Sequence, residues 1–81
     1  MISAFTLARI SPEKNAQVLA KIRALPIIEE VTLVYGEFDI ILKTRTKDLQ
    51  ELNKFIYNVL RRIPHITVTT TMIIARAPET K

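Results

Sequence analysis

Two carboxylates, Glu37 and Asp39, lie within three residues of Gly36, the only glycine of the chain, inside the apolar stretch VYGEFDIIL from Val34 to Leu42. A tight turn accounts for the glycine, because a type II′ hairpin needs a positive φ that glycine adopts without steric cost. The acids raise a chemical question. An anion such as Asp39 matches an ammonium group, and backbone N–H groups at a glycine turn match a carboxylate. Together these describe the two ends of a free α-amino acid; the competing reading is a purely structural hairpin. A second polar group is the run Thr69, Thr70 and Thr71. Threonines are good strand formers, and their other use is to offer hydroxyls to a polar ligand at a sheet edge or interface.

Catalysis has little to draw on. Glu37 and Asp39 are two apart on a strand and could share a proton, yet neither histidine nor a third carboxylate adjoins them. His65, the only histidine, follows Pro64 at an expected helix-to-strand turn, where a solvated or locally bonded imidazole is expected. With no cysteine and one histidine, the chain offers no thiolate nucleophile, disulfide framework or multi-histidine metal site. No catalytic residue, metal ligand or cofactor is assigned, and the chain is not read as an enzyme.

The bulk properties point the same way. Eighty-one residues, 48% hydrophobic and 25% charged, form one soluble globular domain. A domain this small buries only about 60% of its unfolded surface, so association with further copies is a common supplement. No apolar run approaches the ~20 residues needed to cross a bilayer. The N-terminal stretch lacks the basic region and cleavage site of a signal peptide, so a cytoplasmic location is expected. The net charge of +4 comes from scattered lysines and arginines, where a nucleic-acid module would gather them or interleave aromatics. The nearest clusters are Lys43-Arg45-Lys47 along one strand and Arg61-Arg62, a pair suited to answer a helix C-terminal dipole.

These residues need elements to hold them. Residues 2–10 read as a strand. Ser11-Pro12-Glu13 then reads as a helix start, with an N-cap hydroxyl, proline at the first helical position and an acid in the first turn. Ala16, Val18, Leu19, Ile22 and Leu25 supply the apolar stripe, and Pro26 ends that helix. Val31 to Tyr35 and Phe38 to Thr44 form a hairpin around Gly36-Glu37. Thr46 or Asp48 can cap a second helix whose stripe runs Leu49, Leu52, Phe55, Ile56, Val59, Leu60 and Ile63, ending at Pro64. Ile66 to Ala75 is a β-branched strand, residues 1–76 make one domain, and 77–81 form a polar tail. The order βαββαβ gives an α+β, ferredoxin-like fold: a four-stranded antiparallel sheet with both helices on one face.

A two-residue turn fixes the hairpin register as Tyr35–Phe38, Val34–Asp39, Leu33–Ile40, Thr32–Ile41 and Val31–Leu42. Alternation then places Val31, Leu33, Tyr35, Phe38, Ile40 and Leu42 beneath the helices, with Thr32, Val34, Asp39, Ile41 and Lys43 on the open face. In the last strand the same logic expects Ile66, Val68, Met72 and Ile74 under the helices and Thr67, Thr69, Thr71 and Ile73 outside. The open face is half apolar, a surface suited to being covered by a second copy of the sheet.

VYGEFDIILK, an amphipathic helix, a proline exit and TVTTTMII closely resemble the C-terminal effector domain of the Lrp/AsnC transcription regulators, the RAM domain. The marks are a Gly-x-x-Asp hairpin, here Gly36 to Asp39, and a Thr-x-Thr pair, here Thr69 and Thr71; the likeness runs from Ile2 to Arg76. The N-terminal helix-turn-helix of the full regulators has no counterpart here, so the resemblance implies a stand-alone RAM protein. It implies dimers formed through the sheets, assembling into octameric or decameric rings, with an amino-acid effector held between dimers. The ligand-binding residues it implies are Tyr35, Gly36, Glu37 and Asp39 with Thr69 and Thr71. Without a DNA-binding half the chain would not contact operators itself, and would modulate full-length Lrp/AsnC regulators by joining them.

Three other readings share the topology. A dimeric α+β barrel enzyme would need a roomy cavity with a histidine or polar cluster. A ferredoxin-like nucleic-acid binder would want aromatics on the open face. An ACT-type sensor shares the ligand class, and the Gly-x-x-Asp hairpin favours RAM over it.

Overall fold

The elements follow from where small and branched residues alternate with polar ones. A computed structural model describes residues 1–75; Arg76 and the expected polar tail 77–81 lie outside the described residues. The order is β1 Ile2–Ile10, α1 Asn15–Arg23, β2 Ile28–Leu33, β3 Ile40–Thr46, α2 Leu49–Asn58, a 3-10 turn Leu60–Arg62 and β4 Ile66–Ile73. The strands lie β2-β3-β1-β4, each pair antiparallel. This is the expected ferredoxin-like sheet.

The core lies on one face only. Ala4, Ala8 and Ile10 of β1 and Ile40 and Leu42 of β3 join Val18 and Ile22 of α1 and Leu52, Phe55 and Ile56 of α2 in a single buried cluster. Three threonines share that side of the central strands, and each satisfies its hydroxyl. Thr6 Oγ1 lies 3.1 Å from Thr71 Oγ1, Thr44 donates to the Ala4 carbonyl at 3.4 Å, and Thr46 donates to the Asp48 carbonyl at 3.1 Å. The molecule is 19 Å across its thinnest direction, the depth of one sheet and one helix layer.

The helix ends separate a correct expectation from two corrections. Asp48 is the N-cap of α2: its Oδ1 accepts from Glu51 N–H at 2.9 Å, and Glu51 Oε1 reaches back to Lys47 N–H at 2.7 Å. Asp48→Ala is expected to cost about 1 kcal/mol of stability, read as a lower urea midpoint at unchanged slope. For α1, Ser11-Pro12-Glu13 does not start the helix. Lys14 N–H donates to the Ser11 carbonyl at 3.2 Å, closing a turn with Glu13 at φ 70°, and the helix begins at Asn15 with no side-chain cap. Proline suits the second position of a turn as well as the first of a helix, so that motif reads both ways. The second helix stops at Asn58. Arg61 and Arg62 sit in the 3-10 turn beyond it, and its own last turn holds no basic residue.

The hairpin keeps its predicted register: Val31 pairs with Leu42, Thr32 with Ile41 and Leu33 with Ile40. Beyond Leu33 the strands part sooner than a two-residue turn requires. Val34 N–H still donates to the Asp39 carbonyl at 2.9 Å, while Tyr35 and Phe38 lie outside the ladder and Gly36 holds φ 127°. Ile40 and Leu42 face the helices as expected. Leu33 and Tyr35 share their parity but project past the core, with the start of α1 beside them rather than over them, and they are 56% and 105% exposed.

The last strand corrects the expected faces. β4 pairs Thr69 with Ala8, Thr71 with Thr6 and Ile73 with Ala4, the buried side of β1. Val68, Thr70 and Met72 therefore share the open face with Arg9, Leu7 and Phe5. The cause is a bulge. Arg9 pairs with Val68 while Ile10 pairs with Ile66, so Thr67 is an extra residue and every side chain after it changes face. Ile66 keeps its predicted orientation; Val68, Met72, Thr69, Thr71 and Ile73 do not.

Candidate functional site

Where the ladders on the two sides of β1 end or break, backbone groups lose strand partners, and side chains take their place. Ile10 N–H donates to Asp39 Oδ2 at 2.7 Å, and Thr67 Oγ1 donates to the Arg9 carbonyl at 3.4 Å. Asp39 N–H itself donates to the Ala8 carbonyl at 2.9 Å, which fixes the residue beside β1. Arg9 completes the brace, its Nε donating to the Glu37 carbonyl at 2.6 Å. Asp39 thus has a structural use absent from the sequence reading: one carboxylate oxygen takes the Ile10 N–H, which lies beyond the last β1–β3 pair, Ala8–Ile40. Glu37 is exposed and contributes its backbone oxygen to the brace.

Tyr35 and Asp39 line a small cavity of about 160 Å³ with Asn15 from the start of α1, Leu33 and Val34. Gly36 and Glu37 form its exposed tip, and an L-residue at φ 127° would be strained at position 36. The hairpin therefore offers a carboxylate, a ring and glycine-tip backbone within a few residues.

Thr69 and Thr71 lie elsewhere. With Asn53, Tyr57 and Arg61 they border a groove of about 310 Å³ between α2 and β4, floored by Leu52 and Ile56. That volume lies at the lower end of small-molecule sites. Thr71 is partly engaged with Thr6. Asp39 stands beside Ile40, and Ile40, Ala8 and Thr69 form one row across three strands, so the aspartate is roughly 10 Å from Thr69. The two cavities share no lining residue. One copy of the chain holds the hairpin and the threonine pair in separate pockets.

Sequence reasoning missed Arg9, Asn53 and Arg61. Asn53, Tyr57 and Arg61 recur every four residues along the edge of α2 and its extension, a signal present in the sequence but masked by the dipole reading of Arg61-Arg62. Arg9 had no such signal, since its contact depends on where the hairpin tip falls. No group of three or more His, Cys, Asp or Glu side chains suits a metal ion among the described residues, and no helix among them is long and apolar enough to cross a membrane.

The open face carries Phe5, Leu7, Ile41, Val68 and Met72, with Thr32, Thr70 and Lys43 between them. Val68 is 46% and Met72 52% exposed, and no element among the described residues covers them.

Known proteins share this fold. The family described as the Lrp/AsnC ligand binding domain matches residues 3–80. The leucine-responsive regulatory protein of Haemophilus influenzae is 38% identical over 74 residues, which is 91% of this chain and 45% of that protein. The chain spans about half the length of the curated regulators it matches. Among solved structures, FFRP-DM1 superposes with a TM-score of 0.88 at 39% identity, covering 91% of this chain and 99% of that one. The transcriptional regulator NMB0573 of Neisseria meningitidis, solved as a complex with L-Met, shares the fold with a TM-score of 0.88 at 18% identity, covering 98% of this chain and 53% of that one.

Proposed function

The chain belongs to the Lrp/AsnC ligand-binding domain family, and from that premise we propose that it binds a free amino acid between copies of itself and so modulates transcription regulators of the same family. The observation that carries the reading is the division of the candidate site. Tyr35, Gly36, Glu37 and Asp39 sit in and around one pocket and Thr69 and Thr71 in another. A ligand that uses both sets draws them from two copies. In this arrangement the free oxygen of Asp39 takes the ammonium group, and backbone N–H groups at the glycine tip take the α-carboxylate. The threonine hydroxyls of the neighbouring copy close the site.

Two features support assembly. The open sheet face presents aliphatic and aromatic side chains at the right depth for a second sheet to pack on it. The hairpin projects Leu33 and Tyr35 outward, an apolar knob that contacts between dimers would bury. Sheet-to-sheet dimers joined through their hairpins give the octameric or decameric ring. In the cytoplasm, such an assembly acts on full-length Lrp/AsnC regulators by joining them. The L-Met complex of NMB0573 lends chemical support, since a free amino acid occupies a protein of this fold there.

Calorimetric titration with each of the common amino acids tests the reading directly. Saturable heat from at least one, together with a light-scattering mass well above that of a single chain, is the expected result. Flat titrations throughout leave an assembly-only role and overturn the effector reading.

A further inference from the structure

The groove between α2 and β4 has a charge. Its one ionised lining group is Arg61, and no carboxylate lines it among the described residues. The guanidinium stands 5.4 Å above the Tyr57 ring, a cation–π arrangement that holds it in place without consuming its N–H donors. Asn53, one helical turn before Tyr57, adds an amide, and Thr69 and Thr71 face it from β4. Five hydrogen-bonding side chains, Arg61 the cationic one, thus border an apolar floor. A ligand with a purely aliphatic side chain would lie against these groups and leave them without partners, at a cost in affinity. A planar carboxylate matches the guanidinium fork.

We propose that this groove receives the side-chain carboxylate of the effector, so that the site selects an acidic amino acid with Arg61 as its specificity-determining residue. The inference rests on the amino-acid-binding reading above and adds the class of ligand. The two charged ends of the effector's backbone are met at the hairpin of one copy, and its second carboxylate enters the groove of the next. The apolar floor of Leu52 and Ile56 carries the methylene stem. Lys54 and Arg62 are exposed neighbours on the same stretch, and neither lines the groove.

The experiment compares L-glutamate, L-glutamine and L-leucine by calorimetry on the wild-type chain, Arg61→Met and Arg61→Lys, with light scattering to verify that each variant assembles alike. Arg61 is exposed, so its replacement leaves the core intact. Glutamate should bind the wild type about ten-fold or more tighter than leucine, the difference a charge-assisted pair supports. Arg61→Met should bring glutamate to within about two-fold of leucine, through loss of glutamate affinity without any weakening of leucine, and Arg61→Lys should restore part of the preference. Leucine binding the wild type as well as glutamate does overturns the inference and leaves amino-acid binding standing. An equal loss for all three ligands in Arg61→Met also overturns it, because Arg61 would then hold the α-carboxylate. No heat from any ligand on the wild type overturns the effector reading itself, and the inference falls with it.

Discussion

Asp39→Ala should cost the protein both stability and ligand, whereas Asp39→Asn should cost it the ligand alone. The carboxylate accepts the Ile10 N–H at 2.7 Å beyond the last β1–β3 pair, Ala8–Ile40, where β3 offers that amide no ladder partner. Alanine leaves the half-buried donor without an acceptor, a loss of about 1–3 kcal/mol. Asparagine keeps an oxygen in reach of Ile10 and gives up the charge, so its urea midpoint should stay near wild type. For an ammonium-bearing ligand the two variants are alike, since neither is anionic. Affinity for the effector should fall by about 10- to 100-fold in both. Denaturation and calorimetry on the pair separate the two uses of one side chain. Wild-type affinity in Asp39→Asn would make Asp39 a purely structural residue.

The second large effect concerns the open face. Ile41 lies on β3 between Leu7 of β1 and Thr32 of β2. Ile41→Asp would place a carboxylate in the middle of a sheet-to-sheet contact. Burying such a charge costs several kcal/mol, enough to weaken a dimer by a hundred-fold or more, on the order of 3 kcal/mol. Light scattering should then report the mass of one chain, with circular dichroism unchanged because Ile41 is not part of the core cluster. Lys54→Ala, at an exposed position of α2 that does not line the groove, is the control and should leave the mass as it was. A mutant that assembles like the wild type would show that the copies meet elsewhere.

The parts of the fold legible in the sequence are those governed by local periodicity. The two helices, the hairpin register and the placement of Ile40 and Leu42 all follow from alternation and from one glycine. Asp48 was readable as a cap because its spacing to Glu51 is the capping pattern. What escaped depends on contacts between distant segments. Whether Ser11-Pro12-Glu13 opens a helix or a turn is decided by where β1 must deliver the chain, with Ser11 N–H held by the His65 carbonyl at 2.8 Å. The bulge at Thr67 exists only against β1, so β4 by itself gives no sign that its faces exchange. The site was half legible. Its hairpin residues and threonines were identifiable by type and by resemblance, but their separation into two pockets, the brace from Arg9 and the cationic edge of α2 belong to the packed molecule.

The bulge also sets what this chain can tolerate as it diverges. Counting from Thr67, odd positions of β4 serve the groove and even positions serve the open face. Substitutions at exposed sites there change one surface at a time. Loss of a single residue between His65 and Val68 would instead interchange the two surfaces together, turning the hydroxyls outward and the valine and methionine in. The length of that short segment is therefore a stricter constraint than its composition: related chains should vary in the letters around Thr67 far more readily than in their number.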